Sequence, residues 1–382
     1  MRRARRSHTL ENRLDRLKCR EAAPLADDRL GEDCAMNATR KRGQRRTFKI
    51  LFIVAAVLLV LAVTLAIALR GQINELMTLA SFRKVSDFPL YVMTYSGSYG
   101  FDEFLRKGIP VRTDDTQSSR PEAEIGLACT CFSALDKEGH RVFGRNFDWK
   151  DRASLLLFTH APGAYATVSM VDMAYLGYGV EPPPLSERRG LLDAPYIPFD
   201  GMNEYGLTVG MMALSYVKPA TDPQKVTIGS LHVMRLILDY AKDVDEAVSL
   251  LQKYNVDFAG GPPLHYLVAD SSGNSAVIEY FGGEIQIIRN TEPWQVATNF
   301  TLWKTTLDEA ISSCWRYQTV YETLSQASGL PSEQGAMVLL KRVSQASTQW
   351  SIVYNMSTGG IQVAPLQRYD RVQTFDLQMR KK

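Results

Sequence analysis

Two short stretches of this 382-residue chain hold residue types that can do covalent chemistry. The first is Gly126-Leu127-Ala128-Cys129-Thr130-Cys131-Phe132, and the second is Phe143-Gly144-Arg145-Asn146-Phe147-Asp148-Trp149. Together they offer thiols, a permanent cation and a carboxylate. A free thiol titrates at about 8.5, and a neighbouring cation lowers that value. Arg145 is such a cation if the fold brings it to a cysteine. Taken singly, each residue has a plainer reading. A lone cysteine is more often a small buried hydrophobe than a nucleophile, and Arg145 and Asp148 would serve as a structural ion pair along one strand. Three residues apart, these two point to opposite faces of an unbroken strand. A bulge or strand end near Asn146 is therefore needed for both to reach Cys129.

Other chemistries leave no mark. There is no Walker A loop, dinucleotide fingerprint, His-Glu-x-x-His or Gly-x-Ser-x-Gly. The five histidines (His8, His140, His160, His232 and His265) are scattered, so neither a metal site nor a cofactor is expected.

The elements around these stretches are dense in hairpin signals. Cys131–Leu135 and Arg141–Phe143 flank Asp136-Lys137-Glu138-Gly139, and His265–Ala269 and Ala276–Phe281 flank Asp270–Asn274. Helical patterns sit between them, at Ile228–Lys242, Thr305–Leu324 and from Pro331-Ser332-Glu333 onward. Asp243-Val244-Asp245-Glu246 reads as a capping box. Hairpins with interposed helices predict a layered α+β domain rather than a doubly wound parallel sheet.

On these residues the sequence resembles the choloylglycine hydrolase and penicillin V acylase family of N-terminal-nucleophile (Ntn) amidohydrolases. That family places Arg sixteen and Asp nineteen residues after a Cys-Thr start, a spacing that Cys129, Arg145 and Asp148 meet and Cys131 does not. The resemblance continues through Gly201–Leu207, Val268–Tyr280, Ala297-Thr298-Asn299 and Ser312–Tyr317, and covers about Cys129 to Val363. It implies an αββα four-layer sandwich over residues 129–382 and hydrolysis of a linear amide C–N bond through a Cys129 thioester. It also implies scission between Ala128 and Cys129, which would free an α-amine of pKa about 7.7–8.0 to act as base. Asp148 would hold that amine as ammonium, Asn299 would donate to the oxyanion, and Arg316 would orient the acid and thiolate. The family often has Asn or Tyr where an ungapped count finds Ala213, leaving either a backbone N–H there or Tyr216 as the second oxyanion donor. Substrates of the family are small N-acyl amides. Met202, Met211, Met212, Tyr205 and Tyr216 suit an apolar acyl pocket and would serve equally as core. Two rivals stay open: acyl transfer from the same thioester to an amine, and a non-catalytic exported binding module, for which Ala213 speaks.

The chain ahead of Cys129 divides in three. Residues 1–49 carry 15 Lys/Arg against 7 Asp/Glu, a basic tail ahead of an acidic remainder. The overall charge of +3 is thus no argument for nucleic-acid binding. Ile50–Leu69 is twenty residues without a charge, about one bilayer thickness as a helix. With Arg40, Lys41, Arg42, Arg45, Arg46 and Lys49 before it, the positive-inside rule leaves the N-terminus in the cytoplasm and exports the chain beyond residue 70. The segment reads as a signal-anchor giving a single-pass membrane protein; cleavage after Ala68 would make it secreted instead. Met36 is a second candidate start, level with a cytoplasmic tail running from Met1. Residues 70–128 form a pro-segment or small-subunit region, with a strand-like patch at Phe88–Tyr95 and a polar linker at Thr113–Glu124. Cys131 and Cys314 are candidates for a disulfide or for two buried thiols.

Overall fold

A computed structural model describes residues 28–110, 128–149, 152–219, 221–259, 261–330 and 333–380. The linker at 113–124 and most of the basic tail lie outside these residues. The chain divides into two units, Met1–Arg70 and Gly71–Lys382. The first holds most of helix α1 (Asp28–Ser81). Within it, Thr47–Ala66 is fully exposed, and is long and apolar enough to cross a membrane.

The second unit is a mixed α/β fold built on two large sheets. Strands β1 (Arg83–Ser86), β2 (Leu90–Tyr95), β5 (Ser154–Thr159), β6 (Thr167–Asp172), β7 (Asp200–Asn203), β8 (Thr208–Ala213), β11 (Leu264–Ala269), β12 (Ser275–Phe281) and β13 (Glu284–Arg289) form one sheet in that order. Only β2 against β5 is parallel in it. The other sheet runs β14 (Gln295–Ala297), β3 (Ala128–Leu135), β4 (Arg141–Asp148), β15 (Thr348–Asn355), β16 (Gly360–Pro365), β17 (Gln373–Asp376) and is wholly antiparallel. A parallel pair, β9 (Val226–Gly229) with β10 (Tyr254–Asp257), stands apart.

Helix α2 (Phe101–Lys107) packs on β9. Helices α3 (Ser230–Tyr240) and α4 (Val244–Leu251) pack on the large sheet, against β7, β8 and β11. Helices α5 (Leu307–Ser313), α6 (Trp315–Ala327) and α7 (Glu333–Arg342) follow; α6 packs on β3 and β14, and α7 on β4 and β15. The two sheets meet where β3 touches β8 and β11. The contact is close: a Cβ added at Gly210 would lie 2.9 Å from Cys131 Sγ. The main core cluster spans this meeting and contains Cys129, Cys131, Phe147, Met202, Val209 and Met211.

Both expected hairpins form, as β3–β4 and β11–β12, and their turns share one design. Asp136 Oδ1 accepts the His140 N–H, and Asp270 Oδ1 accepts the Asn274 N–H. Gly139 (φ 83°) and Gly273 (φ 96°) take the left-handed position each turn needs. Asp243 caps α4 through Glu246 N–H (2.9 Å), but the return bond from Glu246 goes to Lys242 N–H rather than to the cap.

The run expected as one helix over Thr305–Leu324 is broken. Cys314 is extended (φ −151°, ψ 117°) and separates α5 from α6. Before the break, the Ser312 and Ser313 hydroxyls bond back to the Asp308 and Glu309 carbonyls, a competition that weakens helix ends. The break places Arg316 in the first turn of α6.

Strands β1 and β2, from the stretch between the apolar helix and Cys129, are the outermost two strands at one end of the large sheet, with β1 at the edge and β2 between it and β5. Tyr99, just beyond them, donates from its hydroxyl to Asp239 on α3 (2.6 Å).

Candidate active site

Cys129 and Arg145 meet because of strand register. β3 and β4 pair with Cys129 opposite Phe147 and Cys131 opposite Arg145. The two-residue period then puts all four side chains on one face. Cys129 is 2% exposed and Arg145 fully buried. The Arg145 side chain leans along the strand, bringing Nη2 to 3.7 Å from Cys129 Sγ. Its Nη1 donates to the Phe199 carbonyl, and its Nε lies 3.3 Å from Asp200 Oδ2. Asp200 is itself held by the Tyr354 hydroxyl (2.6 Å) and Trp350 Nε1 (2.9 Å). The counter-ion of Arg145 is therefore Asp200 on β7, and the ion pair envisaged between Arg145 and Asp148 does not form.

Asp148 reaches the site without a bulge in its own strand. It is the last residue of β4, paired with Ala128, on the face opposite Arg145. The irregularity lies across the ladder in β15, between Thr348 and Trp350. There the Thr348 hydroxyl (2.5 Å) and Gln345 Nε2 (3.2 Å) donate to the Asp148 carboxylate. Burial pushes this carboxyl up to about 6, against the opposing pull of those bonds and of Arg316.

Asn299 and Arg316 complete the group through the backbone of Cys129. The Cys129 N–H donates to Asn299 Oδ1 (2.5 Å), and Arg316 Nη1 donates to the Cys129 carbonyl. Arg316 also reaches Thr130 Oγ1 (3.0 Å) and Asn299 Oδ1 (3.1 Å). Asn299 Nδ2 donates to the Ala213 carbonyl (2.9 Å). Ala213 thus does sit at the site, but it contributes an acceptor to Asn299. Tyr216 is 39% exposed with its ring edge against Phe281.

All five singled-out residues (Cys129, Arg145, Asp148, Asn299 and Arg316) converge. The electrostatics differ from expectation in one respect. Burial pushes the Cys129 thiol up, and the pull of Arg145 in the other direction does not overcome it. In the continuous chain the thiol is protonated at neutral pH. Cys131, equally buried, is pushed up as well. Cys129, Cys131 and Cys314 are all free, so Cys131 and Cys314 form no disulfide.

Sequence reasoning missed Asp200, Thr348 and Gln345, which hold Arg145 and Asp148. A buried arginine signals that some acid must face it, but not which one. It also passed over His265, a core residue whose ring bonds the Thr298 carbonyl beside Asn299. The carboxylates of Asp136 and Glu138 and the His140 ring lie within 4.8 Å of one another. They belong to the first hairpin turn, and Asn274 fills the place of His140 in the second, so a turn staple accounts for their proximity. Phe199 meets Tyr175 edge-on (5.0 Å between centroids). Tyr175 lines a surface cavity of about 420 Å³ with Leu176, Gly190, Asp193, Tyr196 and Ile197.

The chain is 29% identical over 192 residues to penicillin V acylase of Pectobacterium atrosepticum, a match covering 46% of this chain and 50% of that protein. The chain thus spans about half the length of this curated relative. Among solved structures, a mutant conjugated bile acid hydrolase from Clostridium perfringens aligns with a TM-score of 0.45 at 16% identity, over 65% of this chain and 92% of that one. A penicillin V acylase from Agrobacterium tumefaciens aligns with a TM-score of 0.45 at 18% identity, over 65% and 86%. The profile of the linear amide C–N hydrolases, choloylglycine hydrolase family, matches residues 129–327, more than half of the chain. With the Cys129, Arg145 and Asp148 spacing inside that match, the chain belongs to the choloylglycine hydrolase family of linear amide C–N hydrolases.

Proposed function

We propose that this protein is a cysteine Ntn hydrolase that cleaves a linear N-acyl amide through a Cys129 thioester. The observation that carries the reading is the hold on Cys129: its N–H on Asn299, its carbonyl on Arg316 and its thiol against Arg145. Such a grip fixes a nucleophile to within the tolerance that attack requires.

The chain first cuts itself. The Cys129 sulfur attacks the Ala128 carbonyl, the acyl group moves from nitrogen to sulfur, and water hydrolyses the thioester. The products are an Ala128 carboxylate and a free Cys129 α-amine. Asn299 Oδ1, already 2.5 Å from that nitrogen, keeps it in place. The amine takes the thiol proton, which resolves the high thiol pKa of the uncut chain. The thiolate, facing Arg145, attacks the substrate carbonyl. The α-ammonium returns its proton to the leaving amine, and the acyl-enzyme is hydrolysed by water with the α-amine as base. Ionised Asp148 holds the ammonium, and Asn299 donates from its amide to the oxyanion. The domain is read as the αββα sandwich of Ntn hydrolases, and the element contacts support that layering.

The substrate class is a small N-acyl amide such as penicillin V, a conjugated bile acid or an N-acyl amine. The enzyme is membrane-tethered and extracytoplasmic, an assignment supported by the apolar helix at Thr47–Ala66 and the basic residues before it. After scission, pairing of β2 with β5 and the Tyr99–Asp239 bond would keep residues 71–110 attached. The test is amine release from these three amide classes by the full chain in detergent, beside Cys129→Ser. Release by the wild type alone supports the reading; equal rates in both refute it.

A further inference from the structure

Asn299 has no regular element to hold it. It follows β14 in the segment Thr298-Asn299-Phe300-Thr301-Leu302-Trp303, which has no helix or strand assignment. Two side chains from the neighbouring sheet grip this segment on both sides of Asn299. His265 on β11 lies 2.6 Å by Nε2 from the Thr298 carbonyl. Glu279 on β12 accepts the Leu302 N–H on Oε1 (2.7 Å) and the Trp303 N–H on Oε2 (3.0 Å). The two grips are joined, because His265 Nδ1 and Glu279 Oε1 are 2.9 Å apart. The hairpin register makes the join natural: Tyr266 faces Ile278, and one step along the ladder brings His265 beside Glu279. His265 is fully buried, and Glu279 is 1% exposed.

The proton count follows from the partners. A peptide carbonyl only accepts, so His265 Nε2 carries a proton. Glu279 accepts two main-chain N–H bonds, one on each oxygen, an arrangement that favours the ionised carboxylate. A proton shared between Nδ1 and Oε1 then joins the ring to the carboxyl group in the core.

We propose that His265 and Glu279 are positioning residues: a buried, hydrogen-bonded pair that fixes the 298–303 segment and thereby aims Asn299 at the Cys129 α-nitrogen and the oxyanion. The proposal rests on the hydrolase reading for its kinetic consequence, but not for its structural one. It also gives the β11–β12 hairpin, prominent in the sequence, a task at the site. Removing one partner would leave a polar atom of the other unpaired in the core. Exchanging both for glutamine would keep a neutral chain of bonds. The amide placed at position 265 would donate to the Thr298 carbonyl and accept from the amide nitrogen at position 279, whose oxygen would keep the Trp303 N–H bond while the Leu302 bond is lost.

The test uses the full chain in detergent, labelled with 15N in histidine and asparagine. His265 is expected to show Nε2 protonated at pH 7.5. Glu279→Gln should move the Asn299 side-chain amide resonances, and the double variant His265→Gln/Glu279→Gln should return them towards their wild-type positions. In the amidase assay, Glu279→Gln should lower kcat about 100-fold with KM within about twofold, the scale of a misplaced catalytic group. The double variant should recover at least about tenfold of that loss. A His265 ring with Nε2 unprotonated overturns the proposal. So do Asn299 resonances or a kcat unmoved by Glu279→Gln, and so does a double variant no better than the single one. If Glu279→Gln fails to fold, the ring protonation of the wild type and the double variant's spectrum decide the matter. A wild-type chain without amidase activity refutes the hydrolase reading, while the resonances still decide the pair.

Discussion

Among the described residues two arginines are completely buried, Arg145 and Arg235, and they are finished in different ways. Arg235, on α3, has a hydrogen-bond partner for each of its three nitrogens. Its Nε donates to the Pro195 carbonyl, its Nη1 to Thr159, Thr167 and Asp239, and its Nη2 to Ser169. Tyr99 closes the set through its hydroxyl on Asp239. Arg145 has one carbonyl, one carboxylate beside a poorly aligned Nε, and a thiol at 3.7 Å. Desolvating a guanidinium is costly unless its donors are met. A partner for every nitrogen marks a structural arginine. A donor aimed at a thiol marks one whose charge has a task still to perform when the thiol ionises.

The contrast can be broken by exchange. Arg145→Met should lower kcat for amide hydrolysis by on the order of 10²–10³-fold, the scale seen when one charge-stabilising donor is lost. Arg235→Met should instead strip Asp239 of its partner and cost roughly 3–5 kcal/mol of stability in denaturant unfolding. Its kcat per folded molecule should stay within about twofold of wild type. If Arg235→Met impairs turnover as Arg145→Met does, the division of roles is wrong.

A smaller effect sharpens the electrostatics. Asp200 is the carboxylate that Arg145 faces. Asp200→Asn should leave the guanidinium field directed at Cys129 and lower the pH midpoint of thiol alkylation in the uncut chain. A midpoint that rises contradicts this placement.

Asp148 sets the acid limb. Its folded-state value of about 6 lies above the ordinary 3.8. The folded chain therefore binds a proton that the unfolded chain releases between those values. The stability this group contributes is full below about 3.8 and lost as pH rises through about 6. Catalysis runs the other way, because only the carboxylate holds the ammonium. The rate should climb with pH through the Asp148 titration, which the new α-ammonium moves below its position in the uncut chain, and Asp148→Asn should lose that limb along with most of the rate. Thr348→Val, which removes a bond to the carboxylate, should move the limb to higher pH by a modest amount.

How much of this was legible in the sequence depends on the range of each interaction. The hairpins were readable because Asp136–Gly139 and Asp270–Asn274 encode their own turns. The convergence of Cys129, Arg145, Asp148, Asn299 and Arg316 was readable from family spacing, although Asn299 and Arg316 lie 170 and 187 residues beyond Cys129. The partners that tune them were not. Thr348 meets Asp148 because β15 inserts beside β4, and Asp200 meets Arg145 because the two sheets face each other. Neither relation leaves a local pattern. The break at Cys314 was also hidden: Thr305–Leu324 keeps a helical pattern throughout, and the serine back-bonding that precedes the break is a property of the fold. The raised thiol pKa depends on burial, which spacing does not report.

The central claim is that Cys129 acts on the bond that precedes it and then works from a free α-amine. Intact mass and N-terminal sequencing of the purified full chain, beside Cys129→Ala, test this most directly. The account predicts a fragment beginning at Cys129 in the wild type and none in the variant. A single uncut chain in both preparations would leave the α-nitrogen an amide and contradict the mechanism.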